Sequence, residues 1–184
     1  MRMTYAAMTN FLDDSVKMLV DTFKAKGMWN DTLLLFVSDN GGPIYVGGNN
    51  HPLRGGKYSE FEGGVRVSAF ASGGLVPRSK RGLTSNGIAA IADIYTTLCA
   101  IAQVDPSDPE GVAAGLPRVD GVDISPMLLA EEHVHSVDAS PRSIVPLMPL
   151  DPNDALALDR CAGVCVCVCV CVCLSVVCVC VCGG

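Results

Sequence analysis

Apolar residues near the start of the chain recur at every third or fourth position, which is typical of an amphipathic helix. Within residues 4–26 they are Met8, Phe11, Leu12, Val16, Leu19, Val20 and Phe23. Gly27 follows and suits the position just beyond a helix end, because glycine adopts a positive φ without a side-chain clash. The pattern predicts a helix that ends shortly before Gly27.

A wholly apolar run comes next and predicts a buried strand. Residues 32–37 have the sequence TLLLFV, as expected for a parallel strand covered on both faces. A helix followed by a buried strand is half of an α/β repeat. Residues 41–64 are rich in glycine and asparagine and predict a long functional loop, and a second strand is expected over residues 65–72.

The later part of the chain carries weaker patterns. Asn86 suits the N-cap of a helix that continues to Ile101, since asparagine side chains accept hydrogen bonds from the first turn. Beyond Gln103 the chain is rich in Pro, Asp and Gly, with a short apolar turn at residues 127–129. Residues 130–160 show no clear period, and no structure is assigned to them.

The last 26 residues have a different composition from the rest. Nine of the ten cysteines lie between Cys161 and Cys182, where they alternate with valine. A translated GT dinucleotide repeat explains this alternation without selection. The stretch is apolar enough for a membrane span, and its thiols could bind soft metals, but neither interpretation accounts for the spacing. We expect a domain over residues 1–158 and a non-globular tail over 159–184 that packs against nothing.

Charge excludes one class of function. The formal net charge is −6, and acidic and basic residues are interspersed without a basic run. Nucleic-acid binding therefore has no electrostatic footprint. No apolar segment of a secretory signal follows Met1, but this does not indicate the cytoplasm, because the natural N-terminus is expected to lie upstream.

The candidate chemistry lies just after the predicted buried strand. Asp39 and Asn40 follow it directly, and ligands of open α/β sheets bind beyond the carboxyl ends of strands. Their oxygens suit a hard cation such as calcium or magnesium, although Asp-Asn-Gly-Gly also suits an ordinary turn. Lys57, in a Gly-Gly-Lys context, could hold an anionic oxygen or remain a solvated surface lysine.

Other polar residues of this region are less specific. We expect structural ion pairs for Arg54 and Arg66, with Glu60 or Glu62 as partners. His51 is favoured as a structural residue over a proton-transfer group. No base partner lies near Ser38 or Ser59 in the sequence, so a serine-hydrolase site is not supported.

These residues form a series of motifs that resembles the sulfatase family, in particular its arylsulfatase B-like branch. The matching strings are Gly27-Met28-Trp29-Asn30-Asp31-Thr32, Ser38 to Gly42, Asn50 to Lys57, and Glu62 to Arg66. Their order and spacing both agree with the family. A weaker resemblance continues through residues 89–98, 120–123 and 140–142. The whole resemblance covers residues 4–145, and the tail has no counterpart in the family.

The resemblance implies an α/β fold, here a partial alkaline-phosphatase-like sheet with flanking helices. By it, Asp39 and Asn40 are ligands of Ca²⁺, with Mg²⁺ as an alternative, and Lys57 contacts the sulfate ester. The family's nucleophile is a formylglycine made from the cysteine of a Cys-x-Pro-x-Arg motif, which this sequence lacks. The chain is therefore expected to be the later part of a metal-dependent sulfuric ester hydrolase and to be inactive alone.

Two alternatives remain open: a phosphate mono- or diester hydrolase of the same superfamily, and a non-catalytic sulfatase remnant. The expected partner is a small sulfate ester or a sulfated glycan, with no nucleic acid and no membrane. Asn30-Asp31-Thr32 is an N-glycosylation sequon. With the family resemblance, it predicts a glycoprotein on the secretory route, with an extracellular or lysosome-like destination.

Overall fold

The computed structural model describes residues 1–130 and 140–145, together with the backbone of residues 176–182. Five α-helices, three 3₁₀ helices of one turn each and three strands lie in this part of the chain. The α-helices are α1 (Arg2–Ala25), α2 (Glu62–Val65), α3 (Ile91–Ile101), α4 (Pro109–Ala113) and α5 (Ser125–Leu129), and the strands are β1 (Thr32–Ser38), β2 (Ala69–Ser72) and β3 (Val176–Cys182). None of the described helices has the length and apolarity needed to cross a bilayer.

Helix α1 ends where the sequence predicts. Gly27 has φ +71°, its N–H donates to the Lys24 carbonyl, and the Met28 N–H donates to the Phe23 carbonyl. This pair of bonds satisfies carbonyls that the helix end would otherwise leave free. The predicted apolar face is half-buried except at Phe11, which is 75% exposed.

Strand β1 is the central strand of a three-stranded sheet with the order β2-β1-β3. Residues 32–36 are buried, which confirms the predicted buried strand. The expected parallel arrangement is wrong, because β2 and β3 both run antiparallel to β1. The reason is that the loop after β1 brings the chain back to the carboxyl end of β1. There the Gly41 N–H donates to the Gly64 carbonyl and the Ser38 N–H to the Ser68 carbonyl. β2 therefore starts beside the end of β1 and runs in the opposite direction.

The expectation that the tail packs against nothing is wrong for β3. Its seven residues pair with β1 along the whole strand, from Thr32 opposite Cys182 to Ser38 opposite Val176. An extended segment rich in β-branched valine suits such a pairing. Residues 159–175 and 183–184 lie outside the described part of the chain, so the predicted boundary at residue 158 stays a prediction.

One face of the sheet carries the main core. Leu33, Leu35 and Val76 are buried there, and side chains of α3 and α5 pack against them. These side chains are Ile94, Leu98, Ile101, Leu128 and Leu129. Phe36 stacks on Phe70 of β2, with ring centroids 4.8 Å apart and an interplanar angle of 4°. β1 and β2 are therefore held together by an aromatic pair as well as by backbone hydrogen bonds.

Two later elements differ from the sequence prediction. The second strand is shorter than expected, since residues 62–65 form α2 before β2 begins. Helix α3 begins at Ile91, so the predicted cap at Asn86 is wrong. Asp93 closes this helix end instead, because its carboxylate accepts from the Ala90 N–H at 2.7 Å.

Asp93 is also the centre of a buried ionic cluster. Its side chain is fully buried and accepts two-pronged hydrogen bonds from Arg142, with Nη2 at 2.6 Å and Nε at 2.7 Å. The Val122 N–H donates to it at 2.8 Å, and Arg142 Nη2 also donates to the Asp120 carbonyl at 2.8 Å. One carboxylate thus joins the start of α3, the segment before α5 and residues 140–145.

Burial by itself raises the pKa of Asp93, and it is the largest single effect. The hydrogen bonds from Arg142, Ala90 and Val122 together outweigh it, so the pKa of Asp93 lies below its ordinary value. The neighbouring Asp93 carboxylate raises the pKa of Arg142 above the ordinary arginine value.

We predict that Asp93→Asn lowers the free energy of unfolding by about 3 kcal/mol, because it leaves a nearly buried guanidinium without its counter-charge. Urea unfolding at pH 7 measures this change. Asp21→Asn is the matched control, since Asp21 pairs with Lys17 on the exposed surface of α1 and should change little. Equal effects of the two substitutions would contradict the assignment.

The same pair predicts the direction of the pH dependence. A carboxylate whose pKa is lowered by folding stabilises the native state above its unfolded pKa of about 4. This contribution is lost as the pH falls through the folded pKa. The gap in stability between wild type and Asp93→Asn should therefore close in acid, below about pH 4, and a gap independent of pH would contradict the account.

Candidate active-site loop

Strand β1 leads directly into the candidate site. Ser38, its last residue, is buried, Asp39 is exposed and Asn40 is half-buried. The Ser38 hydroxyl donates to the Asn40 carbonyl at 2.9 Å, which turns the chain away from the sheet. The polar pair thus follows the carboxyl end of a central strand, as the sequence predicts.

Glycines form the close contacts within the loop that follows. A Cβ added at Gly41 would lie 1.7 Å from the Gly63 carbonyl oxygen, and one added at Gly64 would lie 2.0 Å from the Ser59 carbonyl oxygen. Only glycine permits backbones to approach this closely. The start and end of the loop are therefore packed backbone against backbone, so the loop is compact although it has little regular structure.

Asn50 holds the middle of this loop together through side-chain hydrogen bonds to the backbone. Its side-chain oxygen accepts from the Gly42 N–H at 2.8 Å, and its side-chain nitrogen donates to the carbonyls of Gly42 at 2.8 Å and Gly55 at 3.1 Å. Asn50 belongs to one of the sequence motifs named above, but the sequence did not predict this role. An asparagine within a glycine-rich loop could have indicated it, because one carboxamide can hydrogen-bond backbone groups of two irregular segments at once.

Lys57 lies in the turn that follows Gly55, so the hydrogen bond from Asn50 to Gly55 helps to position it. Residues 56–59 form a four-residue turn closed by the Ser59 N–H, which donates to the Gly56 carbonyl at 2.9 Å. The Lys57 N–H donates to the Gly42 carbonyl at 3.4 Å, so its backbone contacts the segment that follows Asp39 and Asn40. The Lys57 side chain is half-buried, and its ammonium lies 5.5 Å from the ring centroid of Tyr58.

The geometry at Asp39 and Asn40 fits part of a hard-cation site. Asp39 Oδ1 accepts the Asn40 N–H at 2.9 Å, and the Asn40 side-chain nitrogen donates to the Gly41 carbonyl at 3.0 Å. Neither bond engages Asp39 Oδ2 or the Asn40 side-chain oxygen. These are the oxygens that calcium or magnesium prefers. Within the described ranges no three His, Cys, Asp or Glu side chains group as a metal site, so the pair supplies two ligands at most.

The remaining predicted residues divide between confirmed and corrected roles. Arg66 pairs with Glu62 at 3.0 Å, which confirms the structural ion pair. Arg54 forms no such pair among the described residues; its guanidinium lies 3.9 Å from the ring centroid of Phe61, so the predicted ion pair is wrong. Stacking on an aromatic face suits the planar guanidinium.

His51 and Ser59 show no catalytic arrangement. The His51 backbone N–H donates to the Asn49 side chain at 3.1 Å, and its ring is exposed. The Ser59 hydroxyl donates to the Gly56 carbonyl at 2.8 Å. Like the hydroxyl of Ser38, it serves to close a turn.

The chain is similar in sequence to known sulfatases. The family model described as Sulfatase matches residues 1–104. Arylsulfatase J of Mus musculus is 35% identical over an alignment of 130 residues, and this match covers 65% of this chain and 21% of that protein. N-acetylgalactosamine-6-sulfatase of Sus scrofa is 31% identical over 123 residues, and arylsulfatase A of Bos taurus 37% over 125, each match covering 64% of this chain and 22% of the relative. The chain thus spans about a fifth of the length of these relatives.

Proposed function

Because the chain belongs to the sulfatase family, we propose that its glycine-rich loop forms part of the active site of a sulfuric ester hydrolase. The observation that carries this proposal is the contact of the Lys57 turn with the segment after β1, within the residues that the family model matches. The described helices and small sheet are consistent with part of a sulfatase domain, and we propose that they belong to an alkaline-phosphatase-like fold.

In this proposal Lys57 binds an oxygen of the sulfate group. Its ammonium is a compact cation that can stabilise negative charge on the ester as the alcohol leaves. Asp39 and Asn40 would hold Ca²⁺, or Mg²⁺, through one carboxylate and one amide oxygen. The cation, when bound, supplies further positive charge toward the sulfate oxygens. The hydrogen bonds of Asn50 to Gly42 and Gly55 hold together the two backbone segments next to these three side chains.

The substrate in this proposal is the sulfate ester of a phenol or of a glycan. Names of relatives include both arylsulfatases and an N-acetylgalactosamine-6-sulfatase. Their match supports a sulfate ester over the phosphate ester considered as an alternative. No nucleic-acid or membrane partner is part of the proposal.

We propose that the 184-residue chain is inactive by itself, because its sequence contains no Cys-x-Pro-x-Arg motif and so no residue that could become the formylglycine nucleophile. A chimera provides the test: residues 1–145, which keep Arg142 opposite Asp93, replace the matching segment of mouse arylsulfatase J. We predict turnover of an aryl sulfate by the chimera and none by the chain alone. Asp39→Ala and Lys57→Ala should each lower kcat of the chimera about 10²-fold or more.

Lys17→Ala is the matched control, since Lys17 is a solvent-exposed lysine of α1 and should leave kcat unchanged. Aryl-sulfate turnover by the chain alone would contradict the missing nucleophile. Full activity of the Lys57→Ala chimera would contradict the role of Lys57. An inactive but folded chimera would favour the non-catalytic remnant instead.

We further propose that the protein follows the secretory route and carries a glycan on Asn30, in the one sequon of the sequence. Asn30 is exposed in the turn between α1 and β1, so a glycan there would extend into solvent. Expressed behind a signal peptide, the chain should lose mass on treatment with an N-glycosidase, and Asn30→Gln should remove that shift. Secretion without a glycosidase-sensitive mass would contradict the proposal.

A further inference from the structure

Tyr58 occupies an unusual backbone conformation. It is the second central residue of the turn at residues 56–59 and has φ +73°. Glycine and asparagine are favoured at such a position because a bulky side chain clashes with the backbone there. One other described non-glycine residue has a positive φ, Gln103 at +56°, and it follows the C-terminus of α3, where this conformation is common. Tyr58 does not lie at a helix end, and the turn that gives it a positive φ does not explain why a tyrosine occupies the position.

Packing does not explain the tyrosine either. Its side chain is 84% exposed, so the ring contributes little to the core. A strained residue persists when the surroundings over-determine it, and such residues cluster at ligand-binding sites. The surroundings here are closely packed: a Cβ at Gly56, two residues before Tyr58, would lie 2.6 Å from the Gly42 carbonyl oxygen and 2.7 Å from the side-chain nitrogen of Asn50.

The ring lies beside the candidate sulfate-binding lysine. The ammonium of Lys57 is 5.5 Å from the Tyr58 ring centroid, within the distance at which a cation and an aromatic face attract. The guanidinium of Arg54 lies over the Phe61 ring in a similar way, at 3.9 Å, but Phe61 is only 47% exposed, against 84% for Tyr58. The turn therefore presents one cation and one exposed aromatic ring side by side.

We infer that Tyr58 is a specificity-determining residue on which the ring of the sulfated alcohol stacks while its sulfate group contacts Lys57. The inference rests on the proposed function, since it requires Lys57 to bind sulfate. The ligand chemistry is a flat ring bearing a sulfate ester, either an aromatic ring or the apolar face of a pyranose. Both stack on tyrosine, and inorganic sulfate lacks the ring.

Binding to the intact 184-residue chain tests this without any requirement for turnover. Titrations followed by ¹⁵N NMR use three probes: inorganic sulfate, 4-methylumbelliferyl sulfate and N-acetylgalactosamine 6-sulfate. We predict that at least one ring ester binds about five- to tenfold more tightly than inorganic sulfate, as expected for one aromatic stacking contact. The ester that shows this gain identifies the aryl or the pyranose ring as the preferred one.

Variants of Tyr58 separate the ring from the backbone. Tyr58→Phe should keep the gain in affinity. Tyr58→Ala should reduce the affinity for the ring ester to that for inorganic sulfate, and it should leave the affinity for inorganic sulfate unchanged. Tyr58→Gly should also lose the gain but raise Tm, because glycine accepts the positive φ without strain. Tyr45→Ala, at another exposed tyrosine of the same loop, is the matched control and should keep the gain.

Lys57→Ala distinguishes failure of the inference from failure of the proposed function. If it weakens binding of every probe while Tyr58→Ala and Tyr58→Gly retain the ring-dependent gain, the inference is wrong and the proposed function stands. The same conclusion follows if the wild type binds inorganic sulfate and both esters equally. If no probe binds, or if Lys57→Ala changes nothing, the sulfate site is wrong and the inference fails with it.

Discussion

The side-chain amide of Asn50 is the interaction on which the candidate site depends. It accepts from one backbone N–H and donates to two carbonyls, and so joins Gly42, three residues beyond Asp39, to Gly55. Both segments are irregular and could not satisfy these groups through a helix or a sheet. Each such bond contributes about 1 kcal/mol net, but a buried backbone group left without a partner costs more. One side chain therefore joins two irregular segments in the middle of the loop.

The contacts that Asn50 establishes decide which other residues are possible nearby. A Cβ at Gly56 would lie 2.6 Å from the Gly42 carbonyl oxygen, which excludes it, and a Cβ at Gly42 would lie 3.2 Å from the side-chain oxygen of Asn50, which is a tight contact. The Lys57 N–H then reaches the Gly42 carbonyl, which orients the turn that bears the lysine and Tyr58. Separate backbone bonds, from the Gly41 N–H to the Gly64 carbonyl and from the Ser38 N–H to the Ser68 carbonyl, return the chain to the end of β1, so β2 runs antiparallel to it.

Local patterns predicted the elements that depend on neighbours in sequence. The apolar period of α1, its end at Gly27 and the buried run of β1 all follow from short-range chemistry. Strand direction did not, because it depends on where a long loop returns. The Asp93–Arg142 pair spans 49 residues, and nothing near either residue indicates the other. Tyr58 was missed because its backbone conformation, not its residue type, sets it apart.

Amide hydrogen exchange in Asn50→Ala tests most directly whether this carboxamide holds the loop closed. The account predicts that the amides of Gly42 and Lys57 lose protection by about tenfold or more, while the amide of Ser38, which donates to the Ser68 carbonyl, keeps it. Asn49→Ala, at the adjacent asparagine, should leave all three amides unchanged. Undiminished protection of Gly42 and Lys57 in Asn50→Ala would contradict the account, because the loop would then be held by other contacts.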